Sequence, residues 1–162
     1  MQRISPFLWF DNQAEEAAKF YVSIFKNSKI DKITRCPEEA AKKIGREPGS
    51  VLTVEFTLDG EQFVALNSGP QFKFTEAVSF VVYADTQEEI DYYWEKLTAD
   101  GGEPGQCSWL KDKFGLSWQV QPRLLLQLIG DSDRAKADRV MNAMMEMTKI
   151  EIAALKRAAD KS

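Results

Sequence analysis

The chain has 162 residues, 44% of them hydrophobic and 28% charged, with a formal net charge of −4. That length bounds it to one domain or two fused half-size units sharing a core. The acidic balance, without a long basic run, gives no footprint for nucleic acid.

Ile4 to Phe10 is rich in aromatic and branched residues and reads as a buried strand, with Pro6 at a position lacking a ladder partner. Asp11-Asn12-Gln13 is a turn in which Asn12 serves as a helix cap. The helix that follows sets Ala17, Phe20, Tyr21, Ile24 and Phe25 on one stripe, the spacing of a core-facing helix. Lys29 to Cys36 forms a second strand, and Pro37 to Gly49 is a polar connection with a turn of helix opening at Pro37. Val51 to Leu58 alternates, Asp59-Gly60 turns, and Gln62 to Ser68 returns, so the first half reads β-α-β-β-β.

The stretch "FLWFDNQAEEAAKFY" (Phe7 to Tyr21) aligns without a gap on "FVVYADTQEEIDYYW" (Phe80 to Trp94), 73 positions later. Val78 to Tyr83 is the second copy's strand, and Thr86 with Glu89 forms a capping box. Ile90, Tyr93, Trp94 and Leu97 make its helical stripe, and Gly101-Gly102 is the stop. Ser108 to Lys111 and Leu116 to Gln121 are strands joined at Asp112 to Gly115, where the glycine supplies a left-handed turn. This half reads β-α-(β)-β-β. Beyond Pro122 come a short apolar helix from Leu124 to Ile129, a longer one capped by Ser132 or Asp133, and a third from about Ile150 to Ala159. The Met141 to Met147 stripe of the longer helix is expected to pack on the sheet or on a partner subunit.

Two βαβββ units side by side leave one bare face of each sheet to form a cup, the kind of concavity where small ligands sit. In the last strand Ser117, Gln119 and Gln121 would line the cup, while Leu116, Trp118 and Val120 meet the helices.

The segments "SPFLWFDNQAEEAAKFYVSIF", "VEFTLDGEQFVALNSGPQFKFTEAVSFVV" and "CSWLKDKFGLSWQVQP" resemble the PhnB-like branch of the vicinal-oxygen-chelate superfamily, the glyoxalase/bleomycin-resistance/dioxygenase fold. The likeness runs from Ile4 through the C-terminal helices. It implies an α+β fold of two paired βαβββ modules (about 1–70 and 77–122) with a helical tail (about 123–160), assembled as a homodimer. Relatives that use a metal hold it with His or Glu at four cup-facing positions. By local motif these fall near Ser5 (or Pro6), Asn67 (or a neighbour), Ser79 and Gln119. Members are often labelled demethylubiquinone methyltransferases. The chain has no glycine-rich βα unit to seat S-adenosylmethionine, so no cofactor is expected.

Histidine is absent from the whole chain. Neutral hydroxyls and amides bind zinc, nickel or iron poorly, so no metal site is expected. Glu55 shares its strand with Thr53 and Thr57. Facing the cup, it would be the only carboxylate there and a candidate general base; on a solvated face it is a surface residue. Trp9 and Trp109 could wall an apolar ligand, whereas Trp118 belongs to the core. Asn67, Ser79 and Gln119 would bind the ligand or close the cup by hydrogen bonds. Cys107 has no histidine to activate it and reads as inert. The link "GPQFKF" crosses between the modules and rims the opening.

No apolar run approaches the ~20 residues that span a bilayer. The N-terminus reads as a strand rather than a signal peptide. Cys36 and Cys107 read as reduced thiols of a cytoplasmic protein. The expected function is metal-independent binding of a small organic molecule by a homodimer, with no nucleic-acid or membrane partner. The alternative is an isomerase, lyase or transferase acting on a small oxygenated substrate. It would use Glu55 as base, with Asn67 or Gln119 steadying an oxyanion. A pair of ferredoxin-like units shares the βαβ order but lacks the hairpin after each helix.

Overall fold

The alternating run Val51–Leu58 forms strand β3 and returns through Asp59 and Gly60 into β4 (Glu61–Asn67). Both turn residues have positive φ, 47° and 85°, as a two-residue hairpin loop with the right-handed twist of its strands requires. The structure, a computed structural model, describes residues 3–161 and divides into two compact units that meet at Lys73 and Phe74.

The first unit adds β1 (Phe7–Phe10), α1 (Ala14–Ile24), β2 (Lys29–Arg35) and α2 (Glu38–Ile44), in the sheet order β1-β4-β3-β2. β1 runs parallel to β4, and the other neighbours are antiparallel. One sheet face is covered by α1, whose Ala14, Ala17, Ala18, Tyr21 and Ile24 are buried. Tyr21 stacks on Phe56 at 6.3 Å between ring centroids, and Phe56 stacks on Phe63 at 5.5 Å. Phe20 and Phe25, expected on the core stripe, are only half-buried. Small alanines take the inner line of α1 and let it approach the aromatic sheet face. α2 opens after Pro37 and closes on Gly45, which takes the left-handed conformation at φ 69°.

The second unit repeats the plan: β5 (Ser79–Tyr83), α3 (Gln87–Thr98), β6 (Glu103–Pro104), β7 (Trp109–Lys111) and β8 (Ser117–Gln121), ordered β5-β8-β7-β6. Again the first strand is parallel to the last and the others are antiparallel. The doubling read from fifteen aligned residues is thus a doubling of topology. Only β6 is rudimentary, two residues long, with Pro104 lacking the N–H a longer ladder needs. The Thr86–Glu89 capping box forms as expected, and Ile90 and Leu97 are buried while Tyr93 and Trp94 are half-buried.

Three helices close the second unit: α4 (Arg123–Ile129), α5 (Arg134–Met145) and α6 (Ile152–Asp160). Asp133 caps α5 by accepting from the Lys136 N–H at 3.1 Å. α5 buries Ala137 and Val140, and Arg139 donates to the carbonyls of Ala158 and Ala159 on α6 at 3.0 and 3.1 Å. The methionine stripe is only partly covered: Met141 and Met145 are 38% and 59% exposed, while Met144 and Met147 are half-buried.

The segment between α5 and α6 is tied to the sheet. Cys107 and Ser108 N–H donate to the carbonyls of Met147 and Thr148 at 2.8 and 3.0 Å. Gln87 donates through Nε2 to the Ile150 carbonyl at 3.0 Å and accepts from the Ile152 N–H at 2.9 Å. Gln87→Ala is expected to remove both, each net about 0.5–1.5 kcal/mol. Hydrogen exchange across α6 should accelerate while that of β8 stays slow. Unchanged α6 exchange would show that the Gln87 bonds do not hold the tail.

Candidate functional site

In each unit the face opposite its covering helix, here called the open face, is mostly exposed or half-buried, although Ser117 and Gln121 on that of the second unit are buried, and strand parity assigns the residues on it. In the first unit these are Phe7 and Trp9, paired with Val64 and Leu66, then Thr53, Glu55 and Thr57, with Glu55 opposite Lys32. Glu55 therefore stands on the open face, as one of the two readings required, and is exposed there. It borders a depression of about 70 Å³ together with Ser5, Asp31 and Gln62.

Asp31 is a residue that strand alternation conceals. A register shift between Ile30 and Lys32 brings it beside Glu55, so Glu55 is not the only carboxylate there. Thr57 Oγ1 donates to Asp31 Oδ2 at 2.6 Å, and this bond, with the nearby Lys29 ammonium, lowers the Asp31 carboxyl below its ordinary value.

Trp9 lies half-buried on the open face. Its Nε1–H donates to the Gly69 carbonyl at 2.9 Å, and its ring meets Phe72 edge-on at 4.9 Å, so the "GPQFKF" link folds back on it.

Asn67 requires a correction. It shares parity with Phe63 and Ala65 and so faces α1, not the open side. At 4% exposure its Oδ1 accepts from the Ala14 N–H at 2.8 Å and its Nδ2 donates to the Val51 carbonyl at 3.1 Å. It does the work expected of Asn12. The residue at the N-cap is Gln13, which makes no side-chain bond, and the first free N–H of α1 is satisfied from β4 instead. Leu66, one residue back, holds the open-face position. Glu55 and Asn67 lie on opposite faces of one sheet and cannot act as a base and oxyanion pair within the unit.

In the second unit the open face carries two cross-strand rows. Ser79, Ser117, Lys111 and Glu103 form one, and Val81, Gln119 and Trp109 the other. Gln119 Nε2 donates to Ser79 Oγ at 2.9 Å. Ser108 Oγ donates to the buried Gln121 Oε1 at 3.4 Å, at the end of the same face. Trp118 is on the helix side at 3% exposure, in the core role expected of it. Lys111 forms an ion pair with Glu76, which raises the ammonium above its ordinary value and lowers the Glu76 carboxyl, through the hydrogen bond between them. A half-open cavity of about 160 Å³ lies here, walled by Glu76, Glu103, Pro104, Trp109, Lys111 and Ser117. The polar parity of β8 placed Ser117 on this face, but only the β6–β7 edge makes a pocket beside it.

These donors do not suit a transition metal. Ser79 and Gln119 are neutral and bonded to each other, and Asn67 is turned away. Among the described residues no group of three or more His, Cys, Asp or Glu is placed to hold an ion. Cys36 is buried and Cys107 half-buried, and both are free thiols. Among the described residues no helix is long and apolar enough to cross a membrane.

A family profile described as 3-demethylubiquinone-9 3-methyltransferase matches residues 2–121. The match ends at β8, so α4 to α6 lie outside it, and the family likeness is shorter than the sequence motifs implied. Among solved structures, a Bacillus cereus PhnB protein, carrying the same methyltransferase description, is 38% identical. The similarity covers 74% of this chain and 98% of that one, with a TM-score of 0.64. A Pseudomonas aeruginosa protein is 16% identical over 75% of this chain and 98% of its own, with a TM-score of 0.60. The fosfomycin-resistance protein FosX of Listeria monocytogenes is 14% identical over 76% of this chain and 95% of its own, with a TM-score of 0.50. At such identities these two show the fold alone. No curated protein matches the chain. The doubled β-α-β-β-β topology, the profile over β1 to β8 and the Bacillus cereus relative agree, and the chain belongs to the 3-demethylubiquinone-9 3-methyltransferase-like family, the PhnB-like branch of the vicinal-oxygen-chelate superfamily.

Proposed function

We propose that this chain binds a small organic molecule on its open sheet faces, without a metal ion or other cofactor, as a cytoplasmic homodimer. The observation that carries the reading is the Ser79–Gln119 hydrogen bond, a neutral hydroxyl and amide joined across β5 and β8 on the open face. An amide and a hydroxyl donate and accept at once, which suits oxygenated organic groups. The dimer is supported by large apolar side chains on the open faces, with Phe7 at 61% and Tyr83 at 43% exposure, which an assembly would cover. Two free thiols suit a reducing compartment. The methyltransferase description of the family is not carried to this chain, because neither βα turn, Asp11-Asn12-Gln13 or Ala84-Asp85-Thr86, contains the glycines that approach a nucleotide.

Native mass spectrometry of protein purified from its own host should give a dimer mass with a retained organic adduct and no transition ion. A stoichiometric transition ion released by Gln119→Ala would overturn the reading.

A second reading, catalysis with Glu55 as base, is favoured by the open-face position of that carboxylate beside Asp31. With Asn67 turned inward, this scheme rests on the carboxylate alone within the first unit. Glu55→Gln should then abolish turnover of the retained ligand while leaving its affinity nearly intact; a full rate in the variant ends this reading.

A further inference from the structure

We propose that the cavity beside Ser117 is a subsite for a small organic ammonium. It deepens the small-molecule reading above and rests on it. Ser117 is 1% exposed, lines the cavity, and its Oγ has no hydrogen-bond partner. An unpaired buried hydroxyl is costly, so native proteins ordinarily supply a partner. Here no protein group supplies one, and the residue borders the cavity instead.

The charges around it select the partner. Lys111 stands next to Ser117 on the cross-strand row, but its ammonium is matched by Glu76. Glu103 continues the row on the far side of Lys111 and forms no ion pair among the described residues. The cavity thus keeps one carboxylate charge unmatched. The half-exposed Trp109 lines the same space, and an indole ring attracts a cation.

A primary ammonium donates N–H to Ser117 Oγ and to the Glu103 carboxylate while its carbons lie against Trp109 and Pro104. It does so without breaking the Lys111–Glu76 pair. An anion meets Glu76 and Glu103, and a neutral alcohol satisfies Ser117 but leaves Glu103 unmatched. Size sets the other limit. A volume of about 160 Å³ is close to that of an apolar cavity able to hold benzene, so the site takes about six non-hydrogen atoms.

The full chain, labelled with nitrogen-15, is titrated with n-pentylammonium and with the size-matched pentan-1-ol and butyrate. Pentylammonium should shift the amides of residues 103–105, 109–111 and 117 saturably, and more weakly as salt is raised. Pentanol should bind at least about tenfold more weakly and butyrate not at all, given the strength of hydrogen bonds to charged groups. Glu103→Gln and Ser117→Ala should each weaken the ammonium by about tenfold or more on the same grounds. Ser117→Ala should fold at least as stably as the parent, since it removes an unpaired hydroxyl.

Equal binding of pentanol, tighter binding of butyrate, or no shift with any probe (a site holding water only) overturns the subsite. In that event, a host-derived adduct whose contacts cluster at Ser79 and Gln119 leaves the broader small-molecule reading standing. If no small molecule perturbs either open face, both readings fall.

Discussion

Replacing Asp112 with alanine should destabilise the second unit by about 3 kcal/mol or more, since three donors lose their acceptor at once. Asp112 is 2% exposed. Its Oδ1 accepts from the N–H groups of Phe114 and Leu116 at 2.8 and 3.1 Å, and its Oδ2 accepts from Trp118 Nε1–H at 2.8 Å. The same residue closes the turn through its backbone: its N–H donates to Leu116 at 2.9 Å, and Gly115 N–H, at φ 85°, donates to its carbonyl at 2.9 Å. One carboxylate therefore sets the hairpin, orients a core tryptophan and fixes the register that places Lys111 opposite Ser117.

The isostere tests the account further. Asp112→Asn keeps one oxygen for the two backbone donors but turns an N–H₂ group toward the Trp118 N–H. Trp118→Phe removes that second donor, so the double variant should be more stable than the sum of the single changes predicts. A double-mutant cycle read by urea unfolding measures this coupling, expected at about 0.5–3 kcal/mol for residues in direct contact. Strict additivity, or a loss below 1 kcal/mol for Asp112→Ala, would contradict the assigned role.

The second large effect is expected at Asn67. Asn67→Ala should cost about 2–4 kcal/mol, combining the loss of a helix cap with an unpaired carbonyl. The unpaired groups would be the Ala14 N–H at the start of α1 and the Val51 carbonyl on β3. Asn67→Asp retains the acceptor for Ala14 and forfeits the donor to Val51, so it should recover part of the loss at neutral pH. Urea unfolding reports the stability. Native mass spectrometry of the same variant reports whether the retained ligand persists in the folded fraction. A variant of parental stability that sheds its ligand would return Asn67 to the binding face and refute its structural assignment.

These two residues show where local pattern and tertiary structure part. Asp112 sits in "WLKDKFG", where the glycine announces a turn, but nothing in the spacing says that the aspartate's own side chain will collect three donors. Asn67 ends an alternating strand whose parity is plain. Which parity faces the helix depends on the pairing of β4 with β1, and a one-residue change of register exchanges every side chain between the two faces. The expectation that Asn67 faces the open side fails for that reason. Ser79 and Gln119, set in strands that pair with each other, came out together.

The amino-acid order by itself determined the elements and their doubling. The capping box at Thr86, the positive-φ turn at Asp59-Gly60, the left-handed Gly115 and the amphipathic helices are local events, specified by neighbours a few positions away. Lack of histidine likewise removed imidazole from the groups the chain can offer a ligand. The tertiary structure alone decided what meets across long separations. It placed Asp31 beside Glu55 through a bulge, turned Asn67 toward α1, left Met141 and Met145 uncovered, and opened a cavity around the unpaired Ser117. Such contacts follow from strand order and register, which join residues far apart in the chain and leave no periodic trace in the sequence.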